Sequence, residues 1–352
     1  MRVGICMLTL VPGVSGGSET YARELTRALS RIGTNDYEAI VPTLAADAGG
    51  GLATLVASDY PASVTTGGRL WAMGSTAIRR GSLGRHLDTF AAVHYPLTVP
   101  VPRTRRPTVV TLLDVQHLDL PHLFSRGERL FRSVAYDRAA RRAERVIVIS
   151  DWVRGRVIDR LGLAPERTRA IHLGVDLDRF RPDPSVPREH FLLYPARPWP
   201  HKNHARLFEA FALLRRDRPD LRLVLTGGGH DSSSLPNGVE ALGDVPLDGR
   251  VDLYRRAALT VFPSLYEGFG LPPIEAMACG CPVAASTAGS LPEVCGDAAR
   301  LFDPTSVEDI AAAVEDVLAA PETWGARGIP QASRFSWEAT ARAHDEVYGE
   351  LG

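Results

Sequence analysis

Two glutamates, Glu267 and Glu275, stand eight residues apart in an otherwise apolar stretch of the chain. Between them lies a loop that contains Gly268, Gly270 and Pro273. Glycines let a backbone approach a ligand closely, and a helix that begins near the proline would direct its N-terminus at an anion. Each carboxylate could accept two protons from a neighbouring diol, at ~1.5–3 kcal/mol for each charge-assisted hydrogen bond. The pattern therefore indicates a ligand with paired hydroxyls and a negative charge.

A pair of cations, Arg197 and Lys202, forms a second candidate group. Lys202 is the single lysine among the 40 lysine and arginine residues of the chain. Both cations follow a predicted strand and precede a predicted helix, where they could neutralise the charge of a diphosphate leaving group. An ammonium and a guanidinium are not interchangeable, which makes this one exception to arginine informative. A third group, Gly16 and Gly17, could turn backbone amides toward a phosphate or a sugar.

The elements that must position these residues alternate along both halves of the chain. Apolar runs typical of strands are VGICMLTLV, EAIVPTL, AAVHYPL, TVVTLL and RVIVIS in the first half and FLLYPA, LRLVLTG, LTVFPS, CPVAAS and ARLFD in the second. Amphipathic stretches separate them, beginning with SETYARELTRALSRIG, for which Ser18 is the predicted N-cap. This alternation predicts an α/β fold with parallel, doubly wound sheets. Ligands of such sheets bind beyond the carboxyl ends of the strands, where the candidate residues fall.

Length and composition indicate two soluble domains. The chain has 352 residues, and the proline-rich run RFRPDPSVPREH has the composition of a linker. We therefore predict an N-terminal domain over residues 1–185, a C-terminal domain over 186–335 and a final helix over 336–352.

Charge and cysteine usage exclude several classes of protein. The net charge of −1 argues against a general nucleic-acid binder, because phosphate backbones require a basic surface. No run of about 18 apolar residues predicts a membrane span, and the apolar N-terminus fits a first buried strand better than a signal peptide. The four cysteines lack the paired spacing of a zinc site and are expected to be reduced, buried thiols. These features favour a cytoplasmic protein without a metal.

The segment YEGFGLPPIEAMACGCPVAASTAGSLPEVCGDAARLFDP resembles the donor-site signature of glycosyltransferase family 4, a group of retaining GT-B enzymes. The family's E-x7-E hallmark is matched by Glu267 and Glu275. The resemblance implies that Glu267 contacts hydroxyls of the donor sugar and Glu275 those of the ribose, while Arg197 and Lys202 bind the diphosphate. Further donor contacts implied by the resemblance are Gly16, Gly17, Gly227, Gly268, Phe269, Gly270 and Leu271.

The same resemblance implies a fold and a reaction. The fold is GT-B, in which two Rossmann-like domains face each other across a cleft and the last helix returns to the N-terminal domain. The reaction is that of a retaining, metal-independent hexosyltransferase, which moves a hexose or 6-deoxyhexose from a nucleotide-diphosphate sugar to a hydroxyl acceptor. That acceptor is a sugar, a lipid-linked molecule or a natural product, and no cofactor is implied. The implied catalytic residues are Arg197, Lys202 and Glu267, and Asp176-Leu177-Asp178 is not read as a metal motif.

Two other functions fit the same motifs. One is a catalytically silent protein that binds sugar nucleotides, and the other is a GT-B sugar-nucleotide epimerase. The silent alternative rests on a departure from the family, which has a His-Asp pair where this chain has Leu113-Asp114. His117 is a candidate to replace the missing histidine on the acceptor and sugar side, and the alternative is a histidine that merely starts a helix.

Two basic stretches in the first half lie outside these motifs. The first, RLWAMGSTAIRRGSLGRHL, combines Trp71, Met73 and Ile78 with Arg69, Arg79, Arg80 and Arg85. The second runs from Arg126 to Arg142. Peripheral contact with the inner face of a membrane and a cover over an acceptor cleft are two interpretations, and an ordinary solvated surface is the third.

The leucine at position 113 generates a specific expectation about the donor. The histidine that the family places here lies near the 6-hydroxyl of the sugar, whereas leucine offers methyl groups. A buried 6-hydroxyl without a partner would cost ~1–3 kcal/mol, so we expect about a tenfold preference in kcat/KM for a 6-deoxy donor. Competition kinetics with matched donors checks this, and Leu113→His should shift the preference back toward hexoses. An equal or higher kcat/KM for the 6-hydroxy donor would refute the expectation, and His117 would then be the candidate sugar contact.

Overall fold

The computed structural model describes residues 1–14, 16–78 and 81–352, without the side chains of Ala77 and Ile78. Arg79 and Arg80 of the first basic stretch lie outside the described residues. The chain divides into two compact units, which we call the N-terminal unit (Met1–Gly174 with Trp337–Gly352) and the C-terminal unit (Val175–Ser336). The two units meet in sequence between Gly174 and Val175. This boundary lies before the predicted one, which falls between residues 185 and 186 in the proline-rich run.

The N-terminal unit is built on a seven-stranded parallel sheet of order β3-β2-β1-β4-β5-β6-β7. The strands are β1 (Arg2–Cys6), β2 (Asp36–Pro42), β3 (Ala53–Ala57), β4 (Ala92–Tyr95), β5 (Thr108–Leu112), β6 (Arg145–Val148) and β7 (Thr168–Ala170). The helices are α1 (Gly17–Ile32), α2 (Thr66–Ile78), α3 (Gly81–Leu87), α4 (Gln116–Asp119), α5 (Arg126–Arg132), α6 (Arg138–Arg142), α7 (Asp151–Leu161) and, at the end of the chain, α14 (Trp337–Gly349). A π-helical turn, Ser133–Asp137, joins α5 to α6.

The C-terminal unit contains a six-stranded parallel sheet of order β10-β9-β8-β11-β12-β13. The strands are β8 (Glu189–Pro195), β9 (Arg222–Thr226), β10 (Val239–Ala241), β11 (Ala257–Phe262), β12 (Val283–Ser286) and β13 (Arg300–Phe302). The helices are α8 (His204–Asp217), α9 (Leu247–Arg256), α10 (Leu271–Ala278), α11 (Leu291–Cys295), α12 (Val307–Ala319) and α13 (Pro321–Ala332). The prediction of parallel, doubly wound α/β sheets is confirmed in both units.

All ten predicted strands are present, and three short ones were not predicted. The missed strands β3, β7 and β10 lie at the edges of their sheets. An edge strand pairs on one side only and is less buried, which suits the polar residues of β7 (TRA) and β10 (VEA), whereas β3 (ATLVA) was missed despite an apolar run. The prediction of Ser18 as an N-cap is wrong, because α1 begins at Gly17, two residues earlier than that cap implies. Gly16 is the N-cap, and its φ of 53° suits a glycine.

A chain of buried polar side chains ties α14 to the sheet of the N-terminal unit. His344 Nδ1 lies 2.8 Å from the carbonyl oxygen of Thr340, which can only accept, so Nδ1 carries the proton. His344 Nε2 must then accept from Tyr21, whose hydroxyl lies 2.8 Å away. The Tyr21 oxygen in turn accepts from Thr111 Oγ1 at 2.8 Å. The direction of each hydrogen bond is fixed by the one before it.

The same chain continues to the far end of α14. Thr111 Oγ1 accepts from His94 Nε2 at 2.8 Å, and His94 Nδ1 accepts from the Tyr348 hydroxyl at 2.7 Å. Every member is satisfied only when both histidines are neutral. Burial lowers the pKa of His344 from its ordinary value of 6.5 to about 4. Burial, and then the neighbouring His344, lowers the pKa of His94 well below that value.

These depressed pKa values make folding sensitive to acid. Below pH 6.5 the unfolded histidines bind protons that the folded ones do not, so stability is complete above pH 6.5 and is lost toward pH 4. His344→Leu leaves the Tyr21 hydroxyl without its acceptor and should lower the free energy of unfolding by ~1–3 kcal/mol. Urea denaturation between pH 4 and 8 measures both effects.

The matched control is Arg342→Ala, which removes an exposed side chain from the same helix. The control should match wild type at every pH, whereas His344→Leu should show a smaller loss of stability on acidification. An unfolding free energy for His344→Leu equal to that of the control at pH 7 would contradict the role given to this chain of hydrogen bonds.

Candidate functional site

The strand order of the C-terminal unit creates a crevice at the carboxyl ends of β8 and β11. The chain leaves β8 toward β9 on one side and later returns to form β11 on the other, so the connections diverge between these two strands. Ligands of open parallel sheets bind at such a point. Arg197 and Lys202 follow β8, and Glu267 follows β11. Residues that lie 65 positions apart in sequence, Lys202 and Glu267, therefore meet at this edge.

The loop after β8 is anchored by Asn203, whose structural role no sequence pattern indicated. Asn203 is 4% exposed and adopts a positive φ of 61°. Its side-chain amide donates to the carbonyl oxygens of Pro263 at 2.9 Å and Pro304 at 2.8 Å, which lie in the loops after β11 and β13. The Tyr194 hydroxyl donates to the Lys202 carbonyl oxygen at 2.7 Å. These bonds fix the backbone that carries the lysine.

An ion pair joins two of the three predicted catalytic side chains. Lys202 Nζ lies 2.6 Å from Glu267 Oε1, and the two side chains are 17% and 14% exposed. Burial would raise the pKa of Glu267, but the Lys202 ammonium outweighs burial and holds the pKa below its ordinary value. Glu267 is therefore a carboxylate at neutral pH and can accept hydrogen bonds from hydroxyl groups.

The glycine-rich loop after Glu267 is held against the loop after β12. Gly289 packs so closely that a β-carbon there would lie 2.5 Å from the Glu267 carbonyl oxygen. The Ser290 hydroxyl donates to the carbonyl oxygens of Glu267 at 3.1 Å and Phe269 at 2.8 Å. Gly270, with a φ of 105°, is the N-cap of α10, and Leu271 contributes the first N–H of the helix because Pro272 and Pro273 have none. The loop thus ends at a helix N-terminus, which favours an anion.

Glu275 lies on α10, is 4% exposed, and has two partners on α9. The Tyr254 hydroxyl donates to Glu275 Oε2 at 3.0 Å, and Arg250 Nη1 lies 3.7 Å from the same oxygen. Burial alone would lower the pKa of Arg250, but Glu275 raises it above its ordinary value. One carboxylate oxygen is thus fixed by α9. Arg250 and Tyr254 stand four positions apart, and this helical spacing in GRVDLYRRA could have identified them.

Arg197 and Gly227 meet at the carboxyl ends of β8 and β9. A β-carbon on Gly227 would lie 3.0 Å from the Arg197 backbone nitrogen. Arg197 Nη2 lies 3.4 Å from Asp244 Oδ1, and the same oxygen accepts from the Gly228 amide at 2.8 Å. Asp244, which no sequence motif indicated, therefore orients the Arg197 side chain.

The remaining predicted site residues belong to the N-terminal unit. Gly16 and Gly17 lie at the start of α1. Leu113 follows β5 and is half-buried. Asp114 Oδ1 accepts from the Gln116 amide at 3.0 Å and from Arg132 at 3.3 Å.

His117 is buried in α4, and its Nε2 lies 3.0 Å from Asp137 Oδ1. The Asp176 carboxylate accepts from the backbone amides of Asp178 and Arg179, both at 3.2 Å, as in an ordinary turn. No helix among the described residues has the length and apolar character needed to cross a membrane.

Two family profiles match the chain. Residues 15–179 match the profile described as Glycosyltransferase Family 4, and residues 178–329 match the one described as Glycosyl transferases group 1. O-antigen chain mannosyltransferase B of Escherichia coli is 30% identical over 263 residues, which cover 68% of this chain and 69% of that protein.

Solved structures share the fold at low sequence identity. Sucrose-phosphate synthase from Thermosynechococcus elongatus superposes with a TM-score of 0.79 at 20% identity, covering 100% of this chain and 99% of that one. HepE of Anabaena, solved in complex with UDP-glucose, gives a TM-score of 0.73 at 19% identity, covering 99% and 100%. The architecture of both units, the motifs at their strand ends and these matches lead to one conclusion: the chain belongs to glycosyltransferase family 4.

Proposed function

We propose that the protein is a retaining, metal-independent hexosyltransferase that uses a nucleotide-diphosphate sugar and a hydroxyl acceptor. The observation that carries this proposal is the contact of Lys202 with Glu267 at the carboxyl ends of β8 and β11, with Arg197 in the same loop as Lys202 and the N-terminus of α10 in the segment after Glu267. Cations and the positive end of a helix suit a diphosphate, and carboxylates suit hydroxyl groups.

The diphosphate is proposed to bind to Lys202, Arg197 and the Leu271 amide at the N-terminus of α10, since Pro272 and Pro273 have no N–H. Glu267 forms an ion pair with Lys202 at 2.6 Å. A diphosphate that approaches the lysine competes with the carboxylate for it. Glu267 would then be available to accept hydrogen bonds from hydroxyl groups of the sugar. The ion pair thus keeps both groups charged and in place before the donor arrives.

The ribose is proposed to bind to Glu275. Its Oε2 is held by Tyr254 and Arg250, which leaves Oε1 as the oxygen proposed to accept from the diol. A carboxylate that is fixed on one side loses little conformational entropy when it binds a ligand on the other.

Catalysis in this proposal rests on positioning and on charge. Lys202 and Arg197 stabilise the negative charge that develops on the leaving diphosphate. The leaving phosphate oxygen accepts the proton of the incoming hydroxyl on the same face of the sugar, so the anomeric configuration is retained. The comparisons support the class of donor, since HepE was solved with UDP-glucose and the Escherichia coli relative is named a mannosyltransferase. A cytoplasmic location with peripheral membrane contact remains part of the proposal, and the exposed side chains of Leu70 and Trp71 support that contact.

A silent protein that binds sugar nucleotides is the second candidate. Leu113 in place of the family's histidine favours it, because a side chain expected at the donor sugar is absent. Transfer or hydrolysis of a bound donor separates the two candidates.

Two substitutions test the donor site. Lys202→Ala removes the cation proposed for the diphosphate, and Glu275→Gln retains the shape and one acceptor oxygen for Tyr254 while removing the charge. Each should weaken binding of the sugar nucleotide by about 10- to 100-fold, since a charge-assisted hydrogen bond contributes ~1.5–3 kcal/mol. Titration calorimetry, after a thermal-shift screen of UDP-, GDP- and dTDP-sugars, provides the affinities.

The matched controls are Arg216→Ala and Glu322→Gln, which change exposed charges of the same unit by the same amount. Both controls should bind the donor as wild type does. Wild-type affinity in Lys202→Ala and Glu275→Gln, with the fold intact, would remove the basis for this donor site.

Metal independence is tested by chelation. Turnover should persist in excess EDTA, because Arg197 and Lys202 supply the positive charge that a divalent cation supplies in other sites. Initial rates with EDTA, with Mg²⁺ and with Mn²⁺ should agree within about twofold, the precision of such assays. Loss of turnover in EDTA that either cation restores would overturn this part of the proposal.

A further inference from the structure

A second cavity, distinct in sequence and fold from the donor crevice, lies wholly within the N-terminal unit. It has a volume of about 370 Å³ and is lined by residues of α4, α5 and their flanking turns. The lining residues are His117, Leu118, Pro121, Arg126, Arg129, Leu130 and Ser133. The wall thus combines two arginines, a histidine, a serine and three apolar side chains.

The arginines of this cavity carry uncompensated charge. Arg126 and Arg129 are exposed, and no carboxylate among the described residues forms an ion pair with either. The nearby acids are already engaged. Glu128 accepts from the Ser125 amide at 2.8 Å in a capping box, and Asp119 pairs with two arginines of α7. The Arg126 and Arg129 side chains therefore remain available to an anion.

His117 supplies the second and independent observation. Its side chain is 1% exposed and is held through Nε2 by Asp137, itself 3% exposed. Its other ring nitrogen, Nδ1, has no hydrogen-bond partner within the described part of the chain. A buried polar atom without a partner is costly, and a ligand that supplies the missing hydrogen bond would account for it.

The backbone supports the same interpretation. Asp137 ends the π-helical turn Ser133–Asp137, which is the segment that brings its carboxylate to His117. π-helical turns are rare and occur frequently at functional sites. The turn also contributes Ser133 to the cavity wall.

We propose that this cavity binds a phosphoryl group of the acceptor substrate. Arg126 and Arg129 neutralise the phosphoryl oxygens, His117 Nδ1 hydrogen-bonds a polar group of the ligand, and Leu118, Pro121 and Leu130 contact the carbon skeleton. That the ligand is an acceptor substrate rests on the proposed function. That the cavity binds a phosphoryl group rests on the residues of the cavity alone. A soluble sugar phosphate and a lipid-linked phosphate present the same chemistry.

Leu130→Glu tests the cavity with a matched control on the same helical segment. Leu130 lines the cavity and is 66% exposed, whereas Val134 is 56% exposed and does not line it. Both positions tolerate a polar side chain, so Leu130→Glu and Val134→Glu should fold alike. Only Leu130→Glu places a carboxylate beside the phosphoryl group.

The measurement is a ligand-detected NMR titration in a Lys202→Ala background, which removes the phosphate contact proposed for the donor site. The probes are glucose 1-phosphate, a short-chain prenyl phosphate and uncharged glucose. At least one phosphate should bind, glucose should not, and Leu130→Glu should weaken phosphate binding by about tenfold relative to Val134→Glu. Tighter binding of glucose 1-phosphate would indicate a soluble acceptor, and tighter binding of the prenyl phosphate would indicate a lipid-linked one.

A double variant, Arg126→Ala with Arg129→Ala, should weaken phosphate binding by at least about tenfold, whereas Arg105→Ala with Arg142→Ala should not. Equal phosphate affinity in Leu130→Glu and Val134→Glu, or no binding of either phosphate, would overturn the proposal. Binding of a sugar nucleotide to Leu130→Glu with intact Lys202, measured in parallel, should equal wild type. If no variant binds a sugar nucleotide while the phosphate results hold, the proposed function fails and the phosphate site stands.

Discussion

The ion pair between Lys202 and Glu267 is the interaction on which the account of the C-terminal unit depends. A cation and a carboxylate at 2.6 Å, each mostly removed from water, would be costly to hold apart. The pair is possible because the sheet brings the ends of β8 and β11 together, and because Asn203 and Ser290 fix the two loops. A donor that carries both negative charge and hydroxyl groups can bind the same two side chains. Lys202 would contact the negative charge and Glu267 the hydroxyl groups.

In the N-terminal unit, buried hydrogen bonds link the last helix to the sheet. The chain of side chains from Tyr348 to His344 has one allowed direction and requires neutral histidines, which ties α14 to β4, β5 and α1. His117 and Asp137 form a second buried polar contact in the same unit, and there one ring nitrogen lacks a partner. The first arrangement is complete without a ligand, whereas the second is not.

Local sequence patterns were sufficient to predict the central strands, the doubly wound sheets and the family, because each is encoded over a short run of residues. They did not predict contacts between distant residues. Tyr254 on Glu275, Asp244 beside Arg197 and Asn203 between three loops depend on how elements pack, and no local pattern records that packing. The wrong N-cap at Ser18 has a similar cause, since Gly16 adopts a backbone conformation that lets α1 begin earlier. The roles of the site residues remain predictions.

Hydrogen–deuterium exchange with and without a sugar nucleotide tests the central claim, that the C-terminal unit holds the donor at the carboxyl ends of β8 and β11. The account predicts slower exchange of backbone amides in two segments, residues 197–203 and residues 267–275, because the ligand contacts both loops and the N-terminus of α10. Peptides from α12 and α13 in the same unit serve as an internal reference and should be unchanged. Slower exchange confined to segments other than these two, for a sugar nucleotide that demonstrably binds, would contradict the account.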